Sequence, residues 1–379
     1  AMAVGNLGYG IFWYARALFD EGHREIFANQ SYRFLSEALE IHDDPHLHDG
    51  ARHGFAHTKK WLEDRLDRRI LEKKWDMESF PIGETQEEIC YRKWCLTNIL
   101  FLNILNDLGV QPIAARDFLS LPSIKVGIEE GPYYLAFFNQ LKQEYVSARF
   151  FFYEGTENAP YEVHYSDRQV QMYNTLDYPS YCLSVEKVKA AFRIAYSLFD
   201  KIAYFMNRYF DLKVAERHVS FRTIWYKIAE GNGRPERRNG VRDEFQKGEN
   251  WPLRGLFWLS KDFFKDEDAF RESIEPDAQQ LNEIRNHLEH KYLKLHDSYW
   301  SGEPDESDRV GRAMADTLAY HMYRSDFENK TLKLLKLARS ALIYLSLTVH
   351  SEEQRREKDS GDKLVLSNFL PKWEDEWKT

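Results

Sequence analysis

The sequence predicts an all-α protein. Residues of high helix propensity recur with a spacing near 3.6 along most of the chain. Strand-like alternation is rare. Hydrophobic residues fill 43% of the 379 positions, enough to bury a large core and to exclude a chain that is disordered throughout. The length suits two or three domains.

The first helical pair is "LGYGIFWYARALFD" and "REIFANQSYRFLSEALEI", broken at Glu21-Gly22. Small and aromatic residues at Gly8, Tyr14, Ala15, Tyr32, Ala38 and Leu39 make residues 1–41 resemble a tetratricopeptide hairpin. One such repeat cannot bury its own face, so further repeats are expected ahead of residue 1. "AMA" reads as a cloning remnant, and the chain begins in mid-architecture. A turn at Asp43-Asp44-Pro45 opens a charged helix, and another helical segment is expected from Glu84 to about Leu108. "SLPSIKVGIEEGP", Ser120 to Pro132, carries turn residues and marks the main boundary, so 42–131 reads as a helical linking region.

The second half opens with the long helix "YYLAFFNQLKQEYVSARFFFYEG". Next comes "SVEKVKAAFRIAYSLFDKIAYFMNRYFDL", with Ser184 as the expected N-cap and an apolar stripe at Val188, Phe192, Ala195, Phe199, Ile202, Phe205 and Met206. "GRPERRNGVRDEFQK" is a basic loop, and "LRGLFWLSKDFF" returns to helix. Asp277 opens the next helix, and "SGEPDESDRVG" is an acidic loop. A final long helix from about Leu318 fades into a charged tail over 352–379. Four to five helices over 132–351 fit a bundle.

Charge and cysteine usage narrow the function. A net charge of −9 excludes a basic nucleic-acid coat but leaves room for an enzyme that meets RNA at one local site. Cys90, Cys95 and Cys182 have no CxxC spacing and read as reduced thiols in a cytoplasmic protein. No apolar run approaches the ~20 residues of a membrane span, and the start is not a signal peptide. GxxxxGK[ST] is absent, so nucleotide hydrolysis has no support. His42, His46, His48, His53 and His57 crowd a short stretch, but Gly54 stands where a zinc protease has Glu. A polar turn and a solvated helix explain them, and no metal or cofactor is expected.

The chemistry concentrates in "NEIRNHLEHKYLK", Asn282 to Lys294. On a helical wheel of about 100° per residue, Leu281, Ile284, Leu288, Tyr292 and Leu295 form the core stripe. Arg285 and Glu289 sit beside it. Asn286 and His290 form the next polar strip, and Leu293 falls on that polar side without a reason. Arginine can fork onto a phosphate, histidine can move a proton near neutral pH, and asparagine can orient either. These parts suffice for RNA cleavage without a metal, with His290 as general acid/base, Arg285 as phosphate clamp and Asn286 as orienter. The products would carry 2′,3′-cyclic phosphate and 5′-OH ends.

His287, next to the core stripe, reads as a packing residue. Glu289 can pair with Arg285 one turn away. Glu144 and Asp200 are supporting candidates for touching the Arg285 helix, although inter-helix ion pairs explain them equally well. Arg234, Arg237, Arg238 and Arg242 of the basic loop are candidates for RNA backbone contacts.

Arg285-Asn286-x-x-x-His290 resembles the signature of the HEPN superfamily. The segments "QEYVSARFFFYEG", "ENWPLRGLFWLSKDFF" and "IRNHLEHKYLK" resemble a bacterial branch associated with tetratricopeptide repeats. The resemblance runs over roughly Pro132 to Ser351. It implies an all-α HEPN-like bundle behind a TPR-like hairpin, and a ribonuclease of the defence or toxin type. It also implies a homodimer whose two motifs share one cleft, with an N-terminal region that senses or binds a protein partner. The alternative is a non-catalytic interaction and dimerisation protein.

Overall fold

The apolar period of about 3.6 is met by buried stripes on the long segments, so helices dominate the molecule. The computed structural model describes the chain except residues 42–45, 127–130, 158–161, 176, 230–232, 247, 262–276, 298–315, 317, 361–369 and 379. The Asp43-Asp44-Pro45 turn, His42 and the acidic loop at 301–311 lie outside the described residues. Among the described residues the protein is mostly helical, with two short strands. No helix among them is long and apolar enough to cross a membrane.

Helices α1 (Met2–Ala17) and α2 (Glu21–Glu40) form the expected hairpin. The helix break falls earlier than Glu21-Gly22. Asp20 caps α2 by accepting from the His23 N–H at 2.8 Å, so Glu21 already lies in the helix. Gly8 allows the close crossing: a Cβ there would stand 3.0 Å from the Leu35 side chain, and Ser31 Oγ donates to the Gly8 carbonyl at 2.7 Å. Helices α3 (Asp49–Arg65) and α4 (Arg68–Leu71) follow.

The expected helix from Glu84 to Leu108 is shorter. Helix α5 spans Gln86–Thr97, with Thr85 accepting from the Glu88 N–H at 3.2 Å and Glu88 reaching back to the Glu84 N–H at 2.8 Å. Ile99 then takes a positive φ of 58°, and the chain passes into a 3₁₀ turn at Ile104–Leu108. Asn103 and Asn106 bond local backbone there, which competes with helix.

Helix α6 (Tyr133–Gly155) packs along α7 (Leu183–Tyr209), and the whole predicted stripe of α7 is buried. Ser184 is inside α7, which starts behind Cys182 without a side-chain cap. The short α8 (Asp243–Gln246) and then α9 (Trp251–Lys261) lead to α10 (Asp277–His290), which starts at the residue expected.

Two departures matter for the site. The helix carrying the RN-x-x-x-H motif ends at His290 and gives way to strand β1 (Tyr292–His296). "AYHMY", expected to begin the last helix, is strand β2 (Ala319–Tyr323), which pairs parallel with β1 in the register Lys294↔His321. The change of period explains Leu293: in a strand it turns to the core and is buried, while Tyr292 is exposed.

Helix α11 (Arg324–Ser360) follows β2 and continues nine residues into the segment read as tail. Glu352 and Glu353 keep it folded there. Both are buried; Glu353 accepts from Tyr209 Oη at 2.6 Å, and Arg356 donates to the Tyr209 carbonyl at 2.9 Å.

The stretch at 120–132 does not separate two cores. Arg149 of α6 donates to the Leu100 carbonyl at 2.9 Å and pairs with Asp117 at 2.8 Å. Arg339 of α11 donates to the carbonyls of Phe101 and Asn103 at 2.5 and 3.0 Å and pairs with Asp107 at 2.6 Å. One continuous hydrophobic cluster joins the N-terminal helices to the bundle.

Candidate functional site

Helix α10 is seated by Leu281, Ile284 and Leu288, all buried as the wheel predicts. Its polar edge meets α7. Residues 193, 196 and 200 share one face of α7 at helical spacing. They engage positions 282 to 289 of α10.

Arg285 is half-buried between the two helices. Its guanidinium carbon stands 5.9 Å from the centroid of the Tyr196 ring, and Nη1 donates to Asn286 Oδ1 at 3.3 Å. Tyr196 Oη donates to Asn282 Oδ1 at 3.5 Å. Burial pushes the Tyr196 hydroxyl up to about 12, with the Asp200 charge adding to the rise and Arg285 opposing it. Burial also raises the Asp200 carboxyl above its ordinary value, against the Phe221 N–H bond at 3.0 Å and the attraction of Arg285. Asp200 therefore belongs to the site electrostatically.

Glu289 does not pair with Arg285. Arg193 of α7 takes that place, with Nε 3.7 Å from Glu289 and Nη2 donating to the Leu288 carbonyl at 2.9 Å. The second bond covers one of the open carbonyls at the end of α10. Glu144 is likewise engaged elsewhere. Lys201 Nζ sits 2.6 Å from both its oxygens, and Gln140 Nε2 donates to it at 2.9 Å. The α6–α7 ion pair accounts for Glu144.

His290 ends α10 and is exposed. No side-chain hydrogen bond engages it among the described residues. The exposed imidazole lies one helical turn beyond Asn286. His287 is a packing residue: its ring stacks on Tyr320 at 4.8 Å and its Nδ1 lies 2.9 Å from the Glu283 carbonyl.

The basic loop splits into two kinds of arginine. Arg234, Arg237 and Arg238 are exposed, with Arg238 2.5 Å from Glu236. Arg242 is buried and donates to the Ile224 and Leu212 carbonyls at 3.1 and 3.3 Å. Those bonds take Arg242 out of the set available to RNA. The histidine-rich stretch supplies no group of three or more ligating side chains among the described residues.

Sequence reasoning missed several residues. Arg222 is exposed and acts electrostatically on Tyr196, beside Arg285. Lys294, His296, His321, Asp177 and Asp316 form a polar cluster on one face of β1 and β2. The alternation in "YLKLH" and "AYHMY" was the signal for the strands, but each run is only five residues long.

A family model described as LA2681-like HEPN matches residues 125–352. No curated protein and no solved structure matched the chain significantly. The model spans more than half of the sequence and contains α6, α7, α10 and both strands, so the chain belongs to this HEPN family.

Proposed function

We propose that this HEPN-family chain is a metal-independent endoribonuclease whose reaction centre is Arg285, Asn286 and His290. The observation that carries the reading is the arrangement at the end of α10. Arg285 is held by Asn286 at 3.3 Å, while His290 on the same helix faces solvent.

In this mechanism Arg285 receives the scissile phosphate and stabilises the charge that grows on the phosphorane. Asn286 fixes the guanidinium through its carbonyl oxygen. His290 takes the proton of the ribose 2′-OH or returns one to the departing 5′-oxygen. One imidazole cannot be both base and acid in a single step. A homodimer with two motifs facing one cleft would supply the second, as the family resemblance implies. Arg222, Arg234, Arg237 and Arg238 are the proposed backbone contacts. A cytoplasmic role in defence or growth arrest, restrained by a protein partner at the N-terminal helices, fits this chemistry.

A second reading has its own support. Arg285 is half-buried on Tyr196 and attracted to Asp200, as an arginine that cements two helices would be. The bundle would then be an interaction module. Cleavage of total RNA by the purified chain in EDTA, wild type beside His290→Ala, separates the two. Cleavage with cyclic-phosphate ends that is lost in the variant supports the enzyme. Identical RNA profiles from both proteins favour the interaction module.

A further inference from the structure

Directly after His290 the chain enters β1, and the pairing of β1 with β2 holds a polar cluster that the reaction above does not use. His296 Nε2 and His321 Nδ1 are 2.9 Å apart, with the rings stacked at 5.2 Å. His321 Nε2 lies 3.1 Å from the Asp316 carbonyl, which can only accept. That nitrogen therefore carries its proton, Nδ1 of His321 is the acceptor, and His296 Nε2–H donates to it. With one added proton one of the two facing nitrogens can still accept, so the bond survives; with both rings charged two N–H groups stand face to face at that distance and the bond is lost.

The pair sits where it governs α10. The two strands are only five residues each, so cross-strand side-chain links add to the core burial of Leu293, Leu295 and Met322 in holding them paired. His321 neighbours Tyr320, on which His287 of α10 stacks. His296 lies at the far end of the strand that leaves His290.

Among the described residues, charged groups face the pair from several elements. Lys294 of β1 is buried between Asp177, ahead of α7, and Asp316, ahead of β2, at 2.6 and 2.8 Å. Ser180 Oγ donates to Asp297 at 2.5 Å, and Arg324 at the start of α11 stands 3.8 Å from Asp297. Among the described residues Asp177 and Asp316 outnumber Lys294, so one imidazolium is offset and a second is not. Burial and the neighbouring His321 push the His296 imidazole below its ordinary value, although Asp177 opposes this.

We propose that His296 and His321 are positioning residues: their hydrogen bond locks β1 to β2 and fixes the end of α10 while no more than one ring is charged, and the lock opens when both are protonated. The consequence for His290 rests on the ribonuclease reading; the hold on the helix does not.

The test is amide hydrogen exchange of the full chain, read over residues 286–296 and corrected for intrinsic rates, at about pH 7.5 and about pH 5. Wild type, His321→Asn and His321→Phe are compared. The asparagine oxygen can accept where Nδ1 does, and it does not titrate. Wild type is expected to exchange about tenfold faster at the acid pH, His321→Asn equally slowly at both, and His321→Phe fast at both. No pH dependence in wild type, or the same acid loss in His321→Asn, overturns the proposal. RNA cleavage over the same pH range is the second readout, in which His321→Asn loses the steeper part of the acid fall. If exchange behaves as expected and no RNA is cut, the ribonuclease reading fails and the lock stands. If RNA is cut and exchange ignores pH, the reverse holds.

Discussion

Two regions of this protein use arginine in opposite ways. At the junction of the N-terminal region with the bundle, Arg149 and Arg339 are buried, and each pairs with an aspartate while also serving backbone: Arg149 the Leu100 carbonyl, Arg339 those of Phe101 and Asn103. At the end of α10, Arg285 is only half-buried and, among the described residues, has a single hydrogen bond, to its neighbour Asn286. A guanidinium has five donors. Where tertiary structure uses most of them the residue is cement, and where they remain open the residue is available to a ligand.

The contrast can be broken by experiment. The largest effect is expected from Arg285→Ala, which should slow RNA cleavage by about 10²–10³-fold, as loss of one transition-state donor does. Its urea unfolding free energy should stay within about 0.5 kcal/mol of wild type. A large loss of stability instead would make Arg285 cement as well.

Arg149→Met should do the opposite, costing about 1–3 kcal/mol in urea unfolding by leaving the Leu100 carbonyl and the half-buried Asp117 carboxylate without their donor. Burial alone would raise the Asp117 carboxyl, but Arg149 outweighs it and holds the group below the usual range. The stability this pair contributes is therefore present above about pH 4 and lost as pH falls through the depressed folded value. Acid unfolding of wild type beside Asp117→Asn should converge at low pH.

Asp200 has the reverse sign. Its folded value is raised, so its charge weakens the fold once pH rises above about 4. Asp200→Asn keeps an acceptor for the Phe221 N–H and should be more stable than wild type in urea unfolding at neutral pH, with no gain in acid. A several-fold fall in cleavage alongside that gain would mean that the carboxylate orients Arg285.

The smallest effect belongs to the loop. Arg237→Ala with Arg238→Ala should weaken RNA binding and lower the slope of log K against log salt by about 0.7 for each phosphate no longer neutralised. Arg242→Ala should leave that slope alone and destabilise the fold, because its donors serve backbone carbonyls.

How much of this was legible beforehand depended on sequence distance. The α10 stripe, the α7 stripe and the hairpin of α1 and α2 were readable because each pattern lies within one helix. The RN-x-x-x-H motif was readable for the same reason. Arg149 meeting Asp117, Arg339 meeting Asp107, and Arg193 displacing Arg285 from Glu289 join residues far apart in the chain, and no local pattern announces them. Nothing in "RPERRNGVR" separates the buried Arg242 from its exposed neighbours. The strands were hidden because five alternating residues are brief beside a helical period that runs up to Leu288.

Helix α11 carries one more consequence. At 37 residues it is a rod of about 55 Å, stiff along its length. β2 is fused to its front end, Arg339 is clamped to the N-terminal region near its middle, and Glu353 is tied to Tyr209 near its far end. One continuous helix therefore joins the turn at 101–107, the end of α7 and the strand paired with the segment that begins two residues after His290.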